Sequence, residues 1–401
     1  MIVCKFGGSI ICNKRGVDFI KKRINENKER KFLVVSAIGK CSKNDKKLTD
    51  LLFDAYYERF SNDFDKYFNK VKNKFIKFCN CLAINYNEII SFNKFYAEFK
   101  VKSIEYIVSR GEYYTAKIIA KYLDFCFLPC ENFLISDKFN QINLEKSKKY
   151  LSFYKFNKPC IIPGYYFVNQ NNEVKLFNRG GGDVSGAIIA NILKCKIYEN
   201  YTNVNGILNL SPKIYKNANT IEKMNYFQAY ICSKLGATVF ATDAIKYIAK
   251  SRTKTIIINA KNASKNYTYI GKKGNFYYLF PYNNFSLYNK CNNCKKGRLL
   301  QAFFDDFMLH KISLKEVIYY NKKVYYRTNE NAEKYNSICL KIFAKISTKL
   351  ILKIKLICKK FNIIYLPKRS NKRFNYTTIY FLGMINESFI IELKDILKGL
   401  T

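Results

Sequence analysis

The sequence predicts an α/β domain followed by a smaller α+β region. Three observations carry this expectation. Short β-branched and aromatic runs alternate with helically spaced segments up to about residue 270, and glycine clusters stand where those runs pass into helices. Beyond that point strand-like runs come in pairs with helices between them.

In chain order, IVCKF is a short apolar strand that ends in Gly7-Gly8-Ser9, and a helix is expected from Val17 to Lys28. KFLVVSA (31–37) reads as a buried strand with a small-residue stop. Leu48 to Lys77 has helical spacing and is rich in Phe and Tyr, and Ile104 to Leu123 reads as two helices meeting near Ser109-Arg110-Gly111. Apolar runs at 125–128, 160–163 and 196–201 are strands, Asp183 to Leu193 is a helix begun directly after three glycines, and TIIIN (255–259) is a further buried strand. In the C-terminal part, Leu299 to His310, Ile342 to Phe361 and Ser388 to Leu397 read as helices. There 317–328 reads as two strands around an Asn-Lys-Lys turn, and 377–382 as one strand. The pattern repeats about once, which suggests two small related modules.

The chain has 401 residues and a net charge of +40, with 48% hydrophobic residues, so it has the material for folded cores and is not a disordered chain. Gly 17 and Pro 6 exclude collagen-like and Pro/Gly-rich classes. The charge admits a nucleic-acid partner. Yet Lys and Arg are scattered from Lys5 to Lys398, and Lys, Asn, Ile, Tyr and Phe, all with A/T-rich codons, are abundant together. That pattern fits a solvated basic surface set by composition bias, with no nucleic-acid function. The 14 cysteines are irregularly spaced, and the one CxxC, Cys291 and Cys294, has no second pair and no nearby His. No metal site is expected, and the thiols read as reduced residues of a cytoplasmic protein. No apolar run is long enough for a membrane span.

Three glycine clusters carry the candidate chemistry. In Lys5-Phe6-Gly7-Gly8-Ser9, glycines let backbone N–H groups approach an anion, and a lysine at the strand end reaches the same phosphate; a tight turn is the plainer alternative. In Arg179-Gly180-Gly181-Gly182-Asp183, three glycines open a helix whose N-terminus attracts an anion. Arg179 there suits a carboxylate, and Asp183 suits a cap, a metal or a lysine. Ser109-Arg110-Gly111-Glu112 is the third cluster, and by itself it reads as no more than a helix start.

Taken together and in order, these segments resemble the amino-acid kinase family, in its aspartate kinase branch. KFGGS is similar to the family's KFGGTS, VVSAIGK with Thr49-Asp50-Leu51-Leu52 to its second strand and TxLL element, and SRGE to SxGE. IIPGYYF (161–167) and LFNRGGGD (176–183) resemble (Q/P)GF and LGRGGSD. YTNVNGILNLSPK (201–213) resembles TDVDGxxTxDPR, and LGATVF (235–240) resembles FGAKVL. The segment 296–320 resembles a first ACT module. The resemblance implies a three-layer amino-acid-kinase-like sandwich over 1–275 and an ACT-like regulatory region over 276–401, with room for only a trimmed second module.

The implied activity is transfer of a phosphoryl group from ATP, with Mg²⁺, to the side-chain carboxylate of L-aspartate, the first step of lysine, threonine and methionine biosynthesis. By the same resemblance Lys5 and Asp183 are catalytic, and Thr49, Glu112 and Arg179 bind substrate. Lys5, Gly7, Gly8, Ser9, Gly181, Gly182, Thr202, Asn203 and Lys213 bind ATP. A homodimer through the ACT-like region and an amino-acid effector are implied too. The chain departs from the family at Asn203 and Asn205, which stand where acids are expected, and at Leu208, Gly182 and Thr238. The alternatives are a degenerate non-catalytic subunit, or a kinase of glutamate or acetylglutamate.

Overall fold

The computed structural model describes residues 1–178, 180–208, 218–234, 239–261, 267–274, 277–288, 314–320, 323–328, 335–342, 347–371, 376–382 and 386–397. The chain forms two compact units. The first is Met1–Ile207, Glu222–Ser233 and Thr238–Lys273; the second is Leu208–Ile221, Lys234–Ala237 and Gly274–Thr401.

The first unit opens with β1 (Ile2–Phe6), α1 (Lys14–Glu26), β2 (Arg30–Val35), α2 (Leu48–Tyr57), α3 (Phe64–Cys81), α4 (Phe92–Val101) and α5 (Ile104–Leu123). It continues through β3 (Cys126–Phe127), α6 (Leu144–Ser152), β4 (Cys160–Pro163), the hairpin β5 (Tyr166–Val168) and β6 (Val174–Leu176), α7 (Gly181–Ile192) and β7 (Ile197–Thr202). It closes with β8 (Lys223–Asn225), α8 (Tyr226–Lys234), α9 (Thr242–Ser251), β9 (Lys254–Asn259) and β10 (Tyr267–Gly271). Eight strands form one sheet in the order β3-β4-β2-β1-β7-β9-β10-β8, with every pairing parallel except β9 with β10.

Side-chain alternation divides the layers. Ile2, Cys4 and Phe6 of β1, with Leu33, Val35 and Tyr201, join the core beneath α1–α5. The intervening Lys5 points to the other face, where it meets α7. Much of the Phe and Tyr content of 48–101 goes into that first core, while Tyr57 and Phe60 stay exposed. Phe64, Phe68 and Phe75 of α3 recur at helical spacing and interlock with Phe92, Phe95 and Phe99 of α4, as in the edge-on Phe68–Phe99 pair at 5.6 Å.

Two expected elements are corrected. Ile104–Leu123 is one helix, not two. The Ser109 hydroxyl donates back to the Tyr106 carbonyl and Thr115 to the Gly111 carbonyl, so polar side chains are satisfied inside the helix. Gly111 is there because α2 packs close: a Cβ would lie 3.0 Å from Leu52 and 3.3 Å from Ala37. The helix expected from Ile342 begins at Thr348, where Ser347 caps it by accepting from the Leu350 amide at 3.2 Å. Ile342 instead ends a strand that is paired on both sides, a non-local pairing that overrides helical spacing.

The second unit is α+β. Strands β11 (Tyr277–Tyr288), β12 (Leu314–Tyr320), β13 (Lys323–Thr328) and β14 (Tyr335–Ile342) are followed by α10 (Thr348–Lys360), β15 (Ile364–Asn371), β16 (Tyr376–Leu382) and α11 (Glu387–Leu397). They form an antiparallel sheet in the order β12-β13-β11-β14-β16-β15. Ile354 and Ile357 of α10 and Phe389, Ile390 and Leu393 of α11 pack with Ile379 and Phe381 of β16. The helix expected at Leu299–His310 and the Cys291–Cys294 pair lie outside the described residues.

The centre of the first unit is held by a buried ion pair. Arg30 donates to both Glu199 oxygens, at 2.8 and 3.1 Å, and the Tyr201 hydroxyl donates to the same carboxylate at 2.7 Å. Arg30 is 7% and Glu199 5% exposed, so each charge depends on the other. Glu199→Ala is expected to lower the unfolding free energy by about 3–5 kcal/mol, because it strands the guanidinium. Denaturant titration checks this, and a loss below about 1 kcal/mol would contradict it.

Candidate active site

The parallel strands β1, β2, β4, β7 and β9 all end at the same edge of the sheet. Chain order reverses at β1, which lies between β2 and β7. In open α/β sheets such a reversal leaves a crevice outside the carboxyl ends of the strands, and ligands bind there. The loops at this edge are Gly7–Ser9, Ser36–Gly39, Gly164–Tyr165, Asn203–Asn205 and Ala260–Lys261.

At the bottom of the crevice Lys5 Nζ lies 2.7 Å from Asp183 Oδ1, with side chains only 12% and 10% exposed. Lys5 comes from β1 and Asp183 from the first turn of α7, so the pair ties the sheet to the helix N-terminus. Asn200, the register partner of Lys5 on β7, donates its amide to the same Oδ1 at 3.0 Å. The backbone N–H of Ala241 donates to Oδ2 at 3.3 Å. Asp183 is therefore held by three donors, and it keeps the ammonium of Lys5 at the crevice floor.

Above the pair two glycine loops cross. Gly39 N–H donates to the Gly8 carbonyl at 3.0 Å, and a Cβ on Gly39 would lie 2.4 Å from Gly8. Only a bare backbone fits, so the loops after β1 and β2 brace each other. The helix α7 starts from Gly180 at φ +87, a left-handed conformation that suits glycine. By position, the N–H groups of Gly181 and Gly182 have no intrahelical acceptor. A Cβ at Gly182 would lie 3.1 Å from Ser36 Oγ and 3.3 Å from Lys5 Cε, so the hydroxyl on this wall comes from Ser36.

Glu112 occupies the β2–β4 side. It is 4% exposed, its Oε2 has no hydrogen-bond partner among the described residues, and burial pushes its carboxyl up to about 8 against the pull of the Ala37 backbone amide. Its charge would raise the nearby Tyr165 hydroxyl, which burial already pushes up. Tyr165 sits at φ 78 and donates its N–H to Ser185 Oγ at 2.9 Å, while its ring packs against Gly181. Thr49 lies in the first turn of α2, whose Leu48 N–H bonds the Ile38 carbonyl at 3.0 Å. Arg110, by contrast, turns away to a structural ion pair with Glu131 at 3.1 Å, stacked over Tyr113.

On the other side, Gly7 N–H bonds the Tyr201 carbonyl at 3.3 Å, which places Thr202 and Asn203 beside the first glycine loop. Ser9, Asn203, Ala260 and Lys261 border a cleft of about 820 Å³ that runs along α1, a volume in the range of small-molecule sites. Asn205 accepts from the Asn259 amide at 2.5 Å, so an amide pair joins the ends of β7 and β9.

The structure thus gathers Lys5, Gly7, Gly8, Ser9, Gly181, Gly182 and Asp183 at one edge, with Thr49 and Glu112 on one side and Thr202 and Asn203 on the other. Arg179 and Lys213 lie outside the described residues, as does Thr238. Sequence reasoning missed Ser36, Tyr165 and Asn200 as site residues. Ser36 and Tyr165 lie inside segments already singled out by their motifs. Asn200 lies inside the run 196–201 read as a strand, beside Glu199, and nothing in the sequence marks it as a site residue.

Such an edge, with a lysine–aspartate pair between two glycine loops and a helix N-terminus, has the donors and the cation that suit a phosphate group. Residues 1–259 match the profile of the amino acid kinase family, and the chain belongs to that family. Among named relatives, it is 27% identical to Aspartokinase 3 of Bacillus subtilis over 68% of this chain and 64% of the relative. It is 27% identical to an aspartokinase of Rickettsia felis over 47% of this chain and 48% of that protein. The chain thus spans less than two thirds of the length of these relatives. The fold matches a Clostridium acetobutylicum aspartate kinase at TM-score 0.82 and 22% identity, covering 99% of this chain and 100% of that one. It matches E. coli aspartokinase III in complex with lysine and aspartate at TM-score 0.77 and 14% identity, covering 99% of each.

Glu112 makes stability depend on pH. Its folded pKa, about 8, stands above the ordinary 4.5, so the folded protein binds the extra proton. That contribution is complete below about 4.5, fades as pH rises towards 8 and is gone above it. Glu112→Gln removes the titration, so the melting temperature of the variant is expected to gain on the wild type from about pH 5 to about pH 8 and to level off above that. Thermal scans check this; a gap independent of pH would contradict it.

Proposed function

We propose that the chain is an aspartate kinase, which transfers the γ-phosphoryl group of ATP to the side-chain carboxylate of L-aspartate and so opens lysine, threonine and methionine biosynthesis in the cytoplasm. The observation that carries this reading is the Lys5–Asp183 pair at the crevice floor, with a buried carboxyl on one side and the nucleotide-side loops on the other. The aspartokinase names of the relatives support aspartate as the acceptor.

The acceptor carboxylate is already ionised at neutral pH, so it needs no general base. The work left is alignment and charge neutralisation of the moving phosphoryl group. Lys5 supplies the cation at the transfer point. The Gly7 and Gly8 backbone, the Ser9 hydroxyl and the N-terminus of α7 supply donors around the phosphates. Glu112 takes the substrate ammonium: its unpartnered Oε2 is made whole by that cation, which also draws the carboxyl into its ionised form. Thr49 and Arg179 hold the rest of the aspartate, and Thr202, Asn203 and Lys213 the nucleotide. With amides at 203 and 205, the nucleotide is bound through neutral hydrogen bonds on that strand end.

Among the described residues no three His, Cys, Asp or Glu side chains cluster as a metal site. A magnesium ion therefore fits as a companion of the nucleotide phosphates, held mainly by them and by water. Its chemistry would be to neutralise phosphate charge. No described helix is long and apolar enough to cross a membrane. The second unit is assigned to homodimerisation and to sensing an amino-acid end product.

A coupled assay with ATP and Mg²⁺ is expected to show ADP release that depends on L-aspartate, with an acyl phosphate trapped by hydroxylamine. Turnover with glutamate but not aspartate would overturn the reading. Lys5→Met is expected to lower kcat by about 10³-fold or more while the protein stays folded. Near-normal kcat in that variant would show that the transfer point lies elsewhere.

A further inference from the structure

Asn200 is 1% exposed and lies beside Lys5 on the neighbouring strand, both facing Asp183 of α7. Its orientation is set by chemistry. Asp183 Oδ1 accepts, so the Asn200 amide nitrogen must face it, at 3.0 Å, and the Asn200 carbonyl oxygen then has no hydrogen-bond partner among the described residues. A buried amide left half-satisfied is costly, and packing alone would be served by an apolar residue such as its β9 register partner Ile257. The carboxylate oxygen it contacts is the one that binds Lys5, at 2.7 Å.

We propose that Asn200 is a positioning residue for phosphoryl transfer, sharing Asp183 Oδ1 with Lys5 so that the ammonium is held in place yet released to the phosphoryl group. With two donors on one oxygen, neither claims the full carboxylate charge. When phosphate draws the ammonium off, the amide still holds Asp183, and the free carbonyl oxygen offers the moving ammonium a second acceptor. The inference rests on the kinase reading above for its catalytic meaning, but not for its geometry.

The charged and titratable groups that face Asn200 among the described residues are Lys5 from β1, Asp183 from α7 and Tyr198 on β7 itself, whose hydroxyl donates to the Asp183 carbonyl at 3.3 Å. β9 places uncharged Ile257 alongside, and the chain leading into α9 contributes the Ala241 amide to Asp183. Asn200→Asp therefore makes a switchable test. While protonated, the introduced carboxyl donates to Asp183 as the amide does; once ionised, it repels Asp183 and binds Lys5 in competition with phosphate.

The experiment measures Asn200→Asp and Asn200→Leu against the wild type across pH, by turnover and by thermal unfolding. Asn200→Leu is expected to lose about tenfold in kcat with the aspartate KM changed less than about twofold. Asn200→Asp is expected to stay within about threefold of wild type near pH 6 and to fall about a hundredfold by about pH 9, a limb that the wild type lacks. Its melting temperature is expected to drop away from the wild type's over the same range, because a carboxyl with a raised folded pKa loses its stabilisation as pH rises through that pKa. Wild-type kcat in both variants, or an equal loss at every pH, would overturn the positioning role. If the wild type itself shows no aspartate-dependent turnover, the kinase reading fails alone. The unfolding arm then decides the geometry, and a pH-independent gap overturns it.

Discussion

A lysine inside a buried strand needs a partner, and Asp183 is the partner Lys5 has. Both are largely withdrawn from water, 2.7 Å apart, on elements far apart in sequence. The constraint reaches outward from there. It brings the first turn of α7 to the carboxyl end of β1, and Gly180 and Gly181 have to be glycines for that helix to start against Ala241, Tyr165 and Phe177. It leaves the ammonium at the one place where donors from both sides of β1 converge. On the opposite face of the same strands, Arg30 and Glu199 form a second buried pair that fixes β2 against β7. The central strands are thus held by charge on both faces, with apolar packing around them.

Function follows from how this frame divides the crevice. The β2–β4 side offers a buried carboxyl with one oxygen unpartnered among the described residues, suited to an ammonium and unsuited to a phosphate. The β7–β9 side offers backbone, hydroxyl and amide groups beside a cleft of nucleotide size. Lys5 stands between them. The overall +40 charge adds little to this picture. At the described site the cation that matters is one buried lysine, whereas most lysines elsewhere are solvated, as surface charge from composition bias would be.

Much of this was legible in the sequence. The glycine clusters at 7–8 and 180–182 marked strand-to-helix passages, and the strands at 31–37, 196–201 and 255–259 fall within a residue or two of those observed. What misled was local spacing where distant contacts decide. Gly111 reads as a helix break, yet the helix runs through it because Leu52 and Ala37 close on that face. Ile342 has helical company in sequence but belongs to a strand flanked by two others. Asn200 was invisible as a site residue because its meaning lies in register with Lys5 and in a contact with α7, neither of which spacing along β7 can express. Arg110 reads beside Glu112 as part of one motif, but nearby positions on a helix point apart, and the two do different work.

In the proposed reading Lys5 marks the point of transfer, with aspartate on the β2–β4 side and nucleotide on the β7–β9 side. A crystal structure with L-aspartate and a non-hydrolysable ATP analogue bound tests it directly. The γ-phosphate is expected within hydrogen-bonding reach of Lys5 Nζ, the substrate ammonium on Glu112 and the acceptor carboxylate in line with the γ-phosphorus. A γ-phosphate seated away from Lys5, or an aspartate whose ammonium ignores Glu112, would contradict it.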